Sequence, residues 1–235
     1  MDDNVNKCES IAIIMDGNRR WAKEKNLPKM FGHKKGAEVL ESTVRYCSKI
    51  GIKYLTVYAF STENWKRTEE EVKSIMSILS AYLDRFLKTA DLENIQFKAL
   101  GDIDNIPQAL SQKMKELESR TKENTGMKFN VCFNYGGRAE ITRATKLIAE
   151  KVKNGELNIE DITENAISDN LYTAGQKDPD LVIRTSGEMR LSNFLPWQST
   201  YSELLFLKKY WPDFTEKDVD EALEEFANRH RRLGK

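Results

Sequence analysis

The sequence predicts a single α/β domain built on a mostly parallel central sheet of about six strands, flanked by helices. Three observations lead there. Short apolar runs rich in β-branched and aromatic residues alternate about six times with longer stretches of helical periodicity. Several of the short runs are apolar at every position, as strands buried on both faces are. No repeat, low-complexity tract or Pro/Gly-rich linker divides the 235 residues, so one domain over 1–235 is the reading.

The elements follow in order. Residues 1–9 are polar and acidic at their start, which predicts a flexible N-terminus and no signal peptide. Ile11-Ala12-Ile13-Ile14-Met15 is the first strand, and Tyr54-Leu55-Thr56-Val57-Tyr58-Ala59-Phe60 the second. Between them, residues 36–50 repeat Ala37, Leu40, Val44 and Cys47 at helical spacing. The longest helix is predicted over 69–92, where Val72, Ile75, Met76, Leu79, Leu83, Phe86 and Leu87 form a wide apolar face. Thr68 followed by Glu71 suits a capping box at its start. Further strands are predicted at 95–100, 128–133, 181–183 and 204–206, with helices over 108–122, 139–153, 163–172 and 216–231.

Composition narrows the function classes. Lys plus Arg equals Asp plus Glu, 37 each, which argues against a nucleic-acid binder or a strongly basic membrane binder. Any anion site must therefore come from local clustering of basic residues. Cys8, Cys47 and Cys132 are widely spaced and there are only two histidines, so no zinc pattern emerges and reduced thiols in a cytoplasmic protein are expected. No apolar run approaches the roughly 20 residues that cross a bilayer.

Ligands of open α/β sheets bind beyond the carboxyl ends of the strands. Four of those ends carry Arg with Gly, Asn or Ser: Asp16-Gly17-Asn18-Arg19-Arg20-Trp21, Ser61-Thr62-Glu63-Asn64-Trp65-Lys66-Arg67, Asn134-Tyr135-Gly136-Gly137-Arg138, and the run from Arg184 through Arg190 to Ser192. Forked guanidinium donors and accessible backbone N–H groups suit phosphate, and a carboxylate among them, Asp16, suits a bridging magnesium ion. A single arginine in a loop is more often paired with a surface carboxylate; four such loops at one sheet edge weaken that reading. The Walker A and dinucleotide-binding glycine patterns are both absent, as are an Asp-Asp-x-x-Asp metal motif and a nucleophile elbow.

At these loops the sequence resembles the cis-prenyltransferases, and within them the bacterial branch that makes undecaprenyl diphosphate. The resemblance runs from about Ile11 to Arg231. It is carried by Ile14-Met15-Asp16-Gly17-Asn18-Arg19-Arg20-Trp21-Ala22, Phe31-Gly32-His33-Lys34, the segment from Tyr58 to Trp65, Asn134-Tyr135-Gly136-Gly137-Arg138, the segment from Asp180 to Glu188 with Arg190 and Ser192, and Trp197-Gln198 leading to Glu203. It implies sequential condensation of isopentenyl diphosphate onto farnesyl diphosphate with magnesium as cofactor. Gly17, Asn18, Arg19, Arg20, Trp21, Lys29 and His33 are then expected to bind the allylic diphosphate. Arg184, Arg190 and Ser192 are expected to bind isopentenyl diphosphate, and Asp16 and Glu203 to associate with the metal. Asp16 and Asn64 are the expected catalytic residues, Asn64 guiding proton removal. Ser61, Thr62, Glu63, Asn64, Trp65 and Arg67 form the loop that closes over the substrates. Lys29 stands where relatives often carry Arg, and Met189 where some carry His. An apolar tunnel between the sheet and the helices over 36–50 and 69–92, a homodimer, and transient membrane contact for product release complete the expectation. Product length rests on the tunnel, which the sequence does not measure, so shorter and longer products stay open. A silent partner subunit is the reading from another class, and retention of the Asp-Gly-Asn-x-Arg loop weighs against it.

Overall fold

The computed structural model describes residues 7–90 and 93–229. Six strands, β1 (Ser10–Ile14), β2 (Tyr54–Ser61), β3 (Gln96–Leu100), β4 (Lys128–Tyr135), β5 (Leu181–Arg184) and β6 (Glu203–Phe206), form one sheet in the order β3-β4-β2-β1-β5-β6. All five pairings are parallel. Seven α-helices connect them: α1 (Asn18–Glu24), α2 (Lys29–Lys49), α3 (Glu69–Thr89), α4 (Gln108–Arg120), α5 (Gly137–Lys153), α6 (Glu164–Ser168) and α7 (Glu216–Asn228).

The period-2 pleat of β1 divides its side chains between two cores. Ile11 and Ile13 join the larger one, with Val39, Leu40 and Val44 of α2, Leu79, Leu83 and Phe86 of α3, and Phe226 of α7. Ala12 and Ile14 face the smaller one, beneath Phe194 and Leu195. This two-sided burial is why the first strand reads as an unbroken apolar run. The start of β1 is pinned as well: Asp180 Oδ2 accepts the backbone N–H groups of Glu9 and Ser10 at 2.9 and 3.0 Å. Glu9 is therefore tied to the sheet, a correction to the expectation of a flexible segment up to residue 9, while residues 1–6 lie outside the described residues.

Most predicted elements are present, and the differences have local causes. The stretch after β1 is not a loop, since α1 begins at Asn18 and holds Arg19, Arg20 and Trp21 in its first turns. Helix α2 starts seven residues before the predicted 36. Gly32 and Gly36 look like helix breakers in sequence, yet they sit where α1 crosses: a Cβ on Gly32 would lie 2.0 Å from the Asn18 carbonyl oxygen. The predicted helix over 163–172 stops at Ser168 because the Asn170 side-chain amide takes the Ala166 carbonyl at 2.7 Å. The Asn170 backbone N–H bonds Ile167 instead, tightening the turn. Thr68 caps α3, accepting the Glu71 N–H at 3.4 Å, but the Glu71 carboxylate turns away from the return half of a capping box. The predicted ends of α3 at Leu92 and of α7 at Arg231 lie outside the described residues.

Phe129 has no exposure and packs against Phe86 at 5.5 Å and Phe97 at 6.1 Å between ring centroids. Truncating a buried Phe removes transfer energy and leaves a cavity. Phe129→Ala is expected to lower unfolding free energy by about 3–5 kcal/mol in urea denaturation; a loss below about 1 kcal/mol would show that α3 and the sheet repack around the gap.

Candidate active site

The strand order decides where the site lies. The chain leaves β1 towards β2 on one side and leaves β5 towards β6 on the other. The connections diverge between the neighbours β1 and β5, opening a crevice at their carboxyl ends. Asp16, two residues beyond β1, and Arg184, the last residue of β5, meet there. Arg184 is 4% exposed. Its Nη2 donates to Asp16 Oδ2 at 2.9 Å, and its Nη1 donates to Ser192 Oγ at 2.8 Å and to the Arg190 carbonyl. Its Nε is buried without a hydrogen-bond partner.

Asp16 is held from several directions. Oδ1 accepts the Gly17 N–H at 2.7 Å, and Arg20 Nη2 lies 3.2 Å from Oδ2. Thr185 Oγ1 accepts the Asp16 N–H at 3.0 Å and donates to the Asp16 carbonyl at 2.6 Å. Gly17 turns the chain sharply at φ +105°, where any Cβ would meet the Tyr210 ring at 2.6 Å. Burial pushes the Asp16 carboxyl up, but the Arg184 hydrogen bond and the charges of Arg20 and Arg184 outweigh it, and its pKa lies below the ordinary carboxylate value.

A second charged knot centres on Glu71 at the start of α3. Its buried carboxylate accepts from Arg67 Nη1 at 2.8 Å, with Arg19 Nη1 at 3.6 Å and His33 Nε2 at 3.7 Å. His33 Nε2 is buried and makes no hydrogen bond. Burial holds the imidazole pKa below 6.5, assisted by the Arg67 and Arg19 charges and opposed by Glu71, so the ring is neutral at pH 7.

Three adjoining cavities share Met15, Asn18 and His33. The first, about 640 Å³, is lined by Asp16, Gly17, Arg19, Arg20, Lys29 and Arg67 among others. The second, about 520 Å³, takes in Asp16, Ser61, Glu63, Asn64, Arg67, Arg184 and Ser192. The third, about 100 Å³, is largely apolar and runs between α2 and α3 past Leu40, Tyr58, Ile75, Leu79 and Tyr82. Asp16 thus stands between two cation-lined spaces, with an apolar opening beside them.

Not every predicted residue comes to the crevice. Trp21 Nε1 donates to Asp213 at 2.7 Å and the ring lines none of these cavities. Trp65 donates to Asn134 at 2.8 Å, and Thr62 bonds Glu63 at 3.2 Å; neither lines a cavity. Arg190 contributes its carbonyl, while its guanidinium, 60% exposed, pairs with Glu188 outside. Glu203 lies apart from the crevice within one chain. It begins β6 opposite Leu181, at the amino edge of the sheet, three residues (about 10 Å) below the Arg184–Phe206 pair. There it accepts from Arg229 at 2.9 Å, so within one chain it does not meet Asp16. Three functional side chains went unassigned in the sequence: Glu71, Glu188, which accepts from Arg20 at 2.9 Å, and Asn193, which links three loops. A glutamate buried in the first turn of a helix behind an arginine was the available signal for Glu71.

Among the described residues no three His, Cys, Asp or Glu side chains converge as a metal cage. One partly exposed carboxylate beside arginines nevertheless fits magnesium, which takes one or two protein carboxylates and completes its octahedron with phosphate oxygens and water.

A parallel sheet with a carboxylate flanked by arginines at its switch point, and an apolar space beside it, defines a class: an α/β protein whose anion-binding crevice opens onto an apolar cavity. Comparison with known proteins makes this particular. The family model described as putative undecaprenyl diphosphate synthase matches residues 14–234. A ditrans,polycis-undecaprenyl-diphosphate synthase, (2E,6E)-farnesyl-diphosphate specific, from Micrococcus luteus is 44% identical, over 99% of this chain and 95% of that protein. An isoprenyl transferase from Thermotoga maritima is 49% identical over 96% of both. The crystal structure of lavandulyl diphosphate synthase from Lavandula x intermedia, in complex with dimethylallyl diphosphate, superposes with a TM-score of 0.95 at 37% identity, covering 99% of this chain and all of that one. A probable undecaprenyl diphosphate synthase from Campylobacter jejuni gives 0.81 at 31% identity, covering 98% of this chain and all of that one. The chain belongs to the undecaprenyl diphosphate synthase family of cis-prenyltransferases.

His33 is one of two histidines in the chain, so its titration is readily followed by NMR. Its midpoint is expected below 6.5, moving up when inorganic diphosphate enters the cavity and favours the charged ring. Because the folded pKa is depressed, this residue's contribution to stability is full above about pH 6.5 and falls away as pH drops through the folded pKa. A midpoint at or above 6.5 without ligand would contradict the assigned environment.

Proposed function

We propose that the chain adds isopentenyl diphosphate units one after another to farnesyl diphosphate, with a cis double bond at each step, to make undecaprenyl diphosphate. The observation that carries this is the sharing of Asp16 by two cation-lined cavities that open together onto an apolar one. The Micrococcus relative's stated farnesyl diphosphate specificity supports that primer, and the dimethylallyl diphosphate held by the lavender enzyme supports an allylic diphosphate as substrate.

In this reading the first cavity takes the allylic diphosphate, against Gly17, Asn18, Arg19, Arg20, Lys29 and His33. Arg184 and Ser192 take the isopentenyl diphosphate in the second. The allylic C–O bond breaks, its electrons leaving with the diphosphate, and the isopentenyl alkene bonds to the freed carbon. Loss of a proton then restores the double bond. The arginines stabilise charge on the departing group without having to reorganise, because the fold already holds them in place. Asp16 would hold a magnesium ion, which would supply further charge neutralisation on the diphosphate. Asn64 Oδ1 is taken up by the Ser61 N–H at 3.1 Å, so Asn64 presents its amide N–H groups and orients a phosphate while the proton leaves to another acceptor.

The apolar cavity is smaller than the ~150 Å³ void that holds one benzene ring, so α2 and α3 must part as the chain lengthens. Each buried methylene contributes about 0.8 kcal/mol, and binding tightens with each unit added. Leu27, Met30 and Phe31 are exposed on the α1–α2 rim amid Lys23, Lys25, Lys29 and Lys34, a surface suited to an anionic bilayer receiving the product. Among the described residues no helix is long and apolar enough to cross a membrane, and the contact proposed here is peripheral. We infer a homodimer in which a second copy covers the exposed Met189, Tyr201 and Leu204.

Incubation with farnesyl diphosphate, labelled isopentenyl diphosphate and magnesium, followed by product sizing, is expected to give a C55 diphosphate; absence of extension would end this reading, and another length would revise only the product. Asp16→Ala is expected to lower kcat by about a hundredfold or more with an unchanged circular dichroism spectrum, and near-normal turnover would remove Asp16 from the mechanism. Product release is expected to limit turnover, so detergent should raise the steady-state rate and a single-turnover burst should precede it. A detergent-independent rate without a burst would place the slow step elsewhere.

A further inference from the structure

The chain between Arg190 and Pro196 has an unusual backbone. Ser192, Asn193 and Leu195 all lie in the left-handed region, at φ 49°, 67° and 46°. Outside glycine, Asn is among the few residues that adopt it readily. The segment is anchored by Phe194, which has no exposure and stacks on Tyr58 with ring centroids 4.7 Å apart.

With Phe194 pointing into the core, Asn193 is left between three strand ends. Its carbonyl accepts the Gly137 N–H at 2.8 Å, and its Oδ1 accepts the Arg138 N–H at 2.9 Å, joining it to the start of α5. Its Nδ2 donates to Glu63 Oε1 at 2.9 Å, in the turn that carries Asn64 and leads to Arg67. Its chain neighbour Ser192 accepts from buried Arg184. One side chain therefore uses acceptor and donor at once, from a backbone conformation that few residues tolerate. Asp keeps the acceptor but sets a second carboxylate against Glu63. Gly keeps the backbone and loses both bonds.

We propose that Asn193 is a positioning residue: it fixes Ser192 and Arg184 for isopentenyl diphosphate and couples that half-site to the turn carrying Asn64. This rests on the assignment of Arg184 and Ser192 to isopentenyl diphosphate made above. Asn193 touches no reacting atom; it acts through Ser192 on one side and Glu63 on the other.

The test is calorimetric binding of each substrate to the full chain, with steady-state kinetics alongside. Asn193→Asp is expected to weaken isopentenyl diphosphate binding and raise its KM about tenfold or more, the range for a lost hydrogen bond to a charged group. Farnesyl diphosphate affinity should stay within about twofold, the level of an uncoupled site. Adding Glu63→Gln to Asn193→Asp reverses the polarity of the bond and should recover most of the loss, which a merely structural role would not give. Asn193→Gly, which retains the left-handed backbone, serves if Asn193→Asp does not fold, and should show the same selective loss without rescue by Glu63→Gln. Equal isopentenyl affinities in wild type and variant, parallel loss for both substrates, or no recovery in the Asn193→Asp, Glu63→Gln double variant would each overturn the inference. A wild-type chain that binds both substrates but does not condense them defeats the functional reading alone, because the binding comparison still decides the role of Asn193. Failure of the wild type to bind isopentenyl diphosphate overturns both.

Discussion

The pairing of buried Arg184 with Asp16 across the β1–β5 switch point is the contact on which the rest of the site depends. A guanidinium 4% exposed is costly to desolvate, and it is retained here only because Asp16, Ser192 and the Arg190 carbonyl all receive its N–H groups. The same contact sets the Asp16 carboxylate between the two cation-lined cavities and draws the 190–193 segment back over the end of β5. Removing either partner leaves a charge with incomplete compensation at the centre of the crevice, so the pair organises the site more than it stabilises the fold.

Charge pairing around this contact explains how a chain of zero net charge builds a strong anion site. Arg20 is balanced by Asp16 and Glu188, Arg190 by Glu188, and Arg19, Arg67 and His33 gather around Glu71. Without substrate, the carboxylates of the protein occupy the positive groups. Under the proposed function a diphosphate entering the first cavity would compete with Glu71 for Arg19 and Arg67, whose positions the fold already holds. Asn193 extends this organisation to the backbone, joining the ends of β2, β4 and β5 through one side chain.

Much of this was legible along the chain. The two-sided burial of β1 and β5 makes apolar runs that mark them as strands, and the carboxyl-edge rule brought Asp16, Arg67 and Arg184 to one place before any coordinates. The rule says which edge a loop leaves from, not which way each side chain turns. That is why Trp21 and the Arg190 guanidinium, both in the right segments, face away from the cavities. Glu203 lies apart from Asp16 within one chain for a different reason: it opens a strand, and in a parallel sheet a strand's start lies at the edge opposite the loops that follow the strands.

What the sequence determined by itself is local and periodic: the alternation of strands and helices, the Arg-bearing polar residues after four of the strands, and the family to which those motifs belong. Tertiary structure alone decided the rest. Glu71 became the partner of Arg19 and Arg67 and the neighbour of neutral His33 because α1, α2 and α3 converge on it, and α2 carries glycine at 32 because α1 crosses there too closely for a Cβ. Asn193 acquired its place because three strand ends close around a left-handed backbone. Each of these depends on groups distant in sequence reaching hydrogen-bond or contact distance, and no local pattern encodes that until the sheet order has been set.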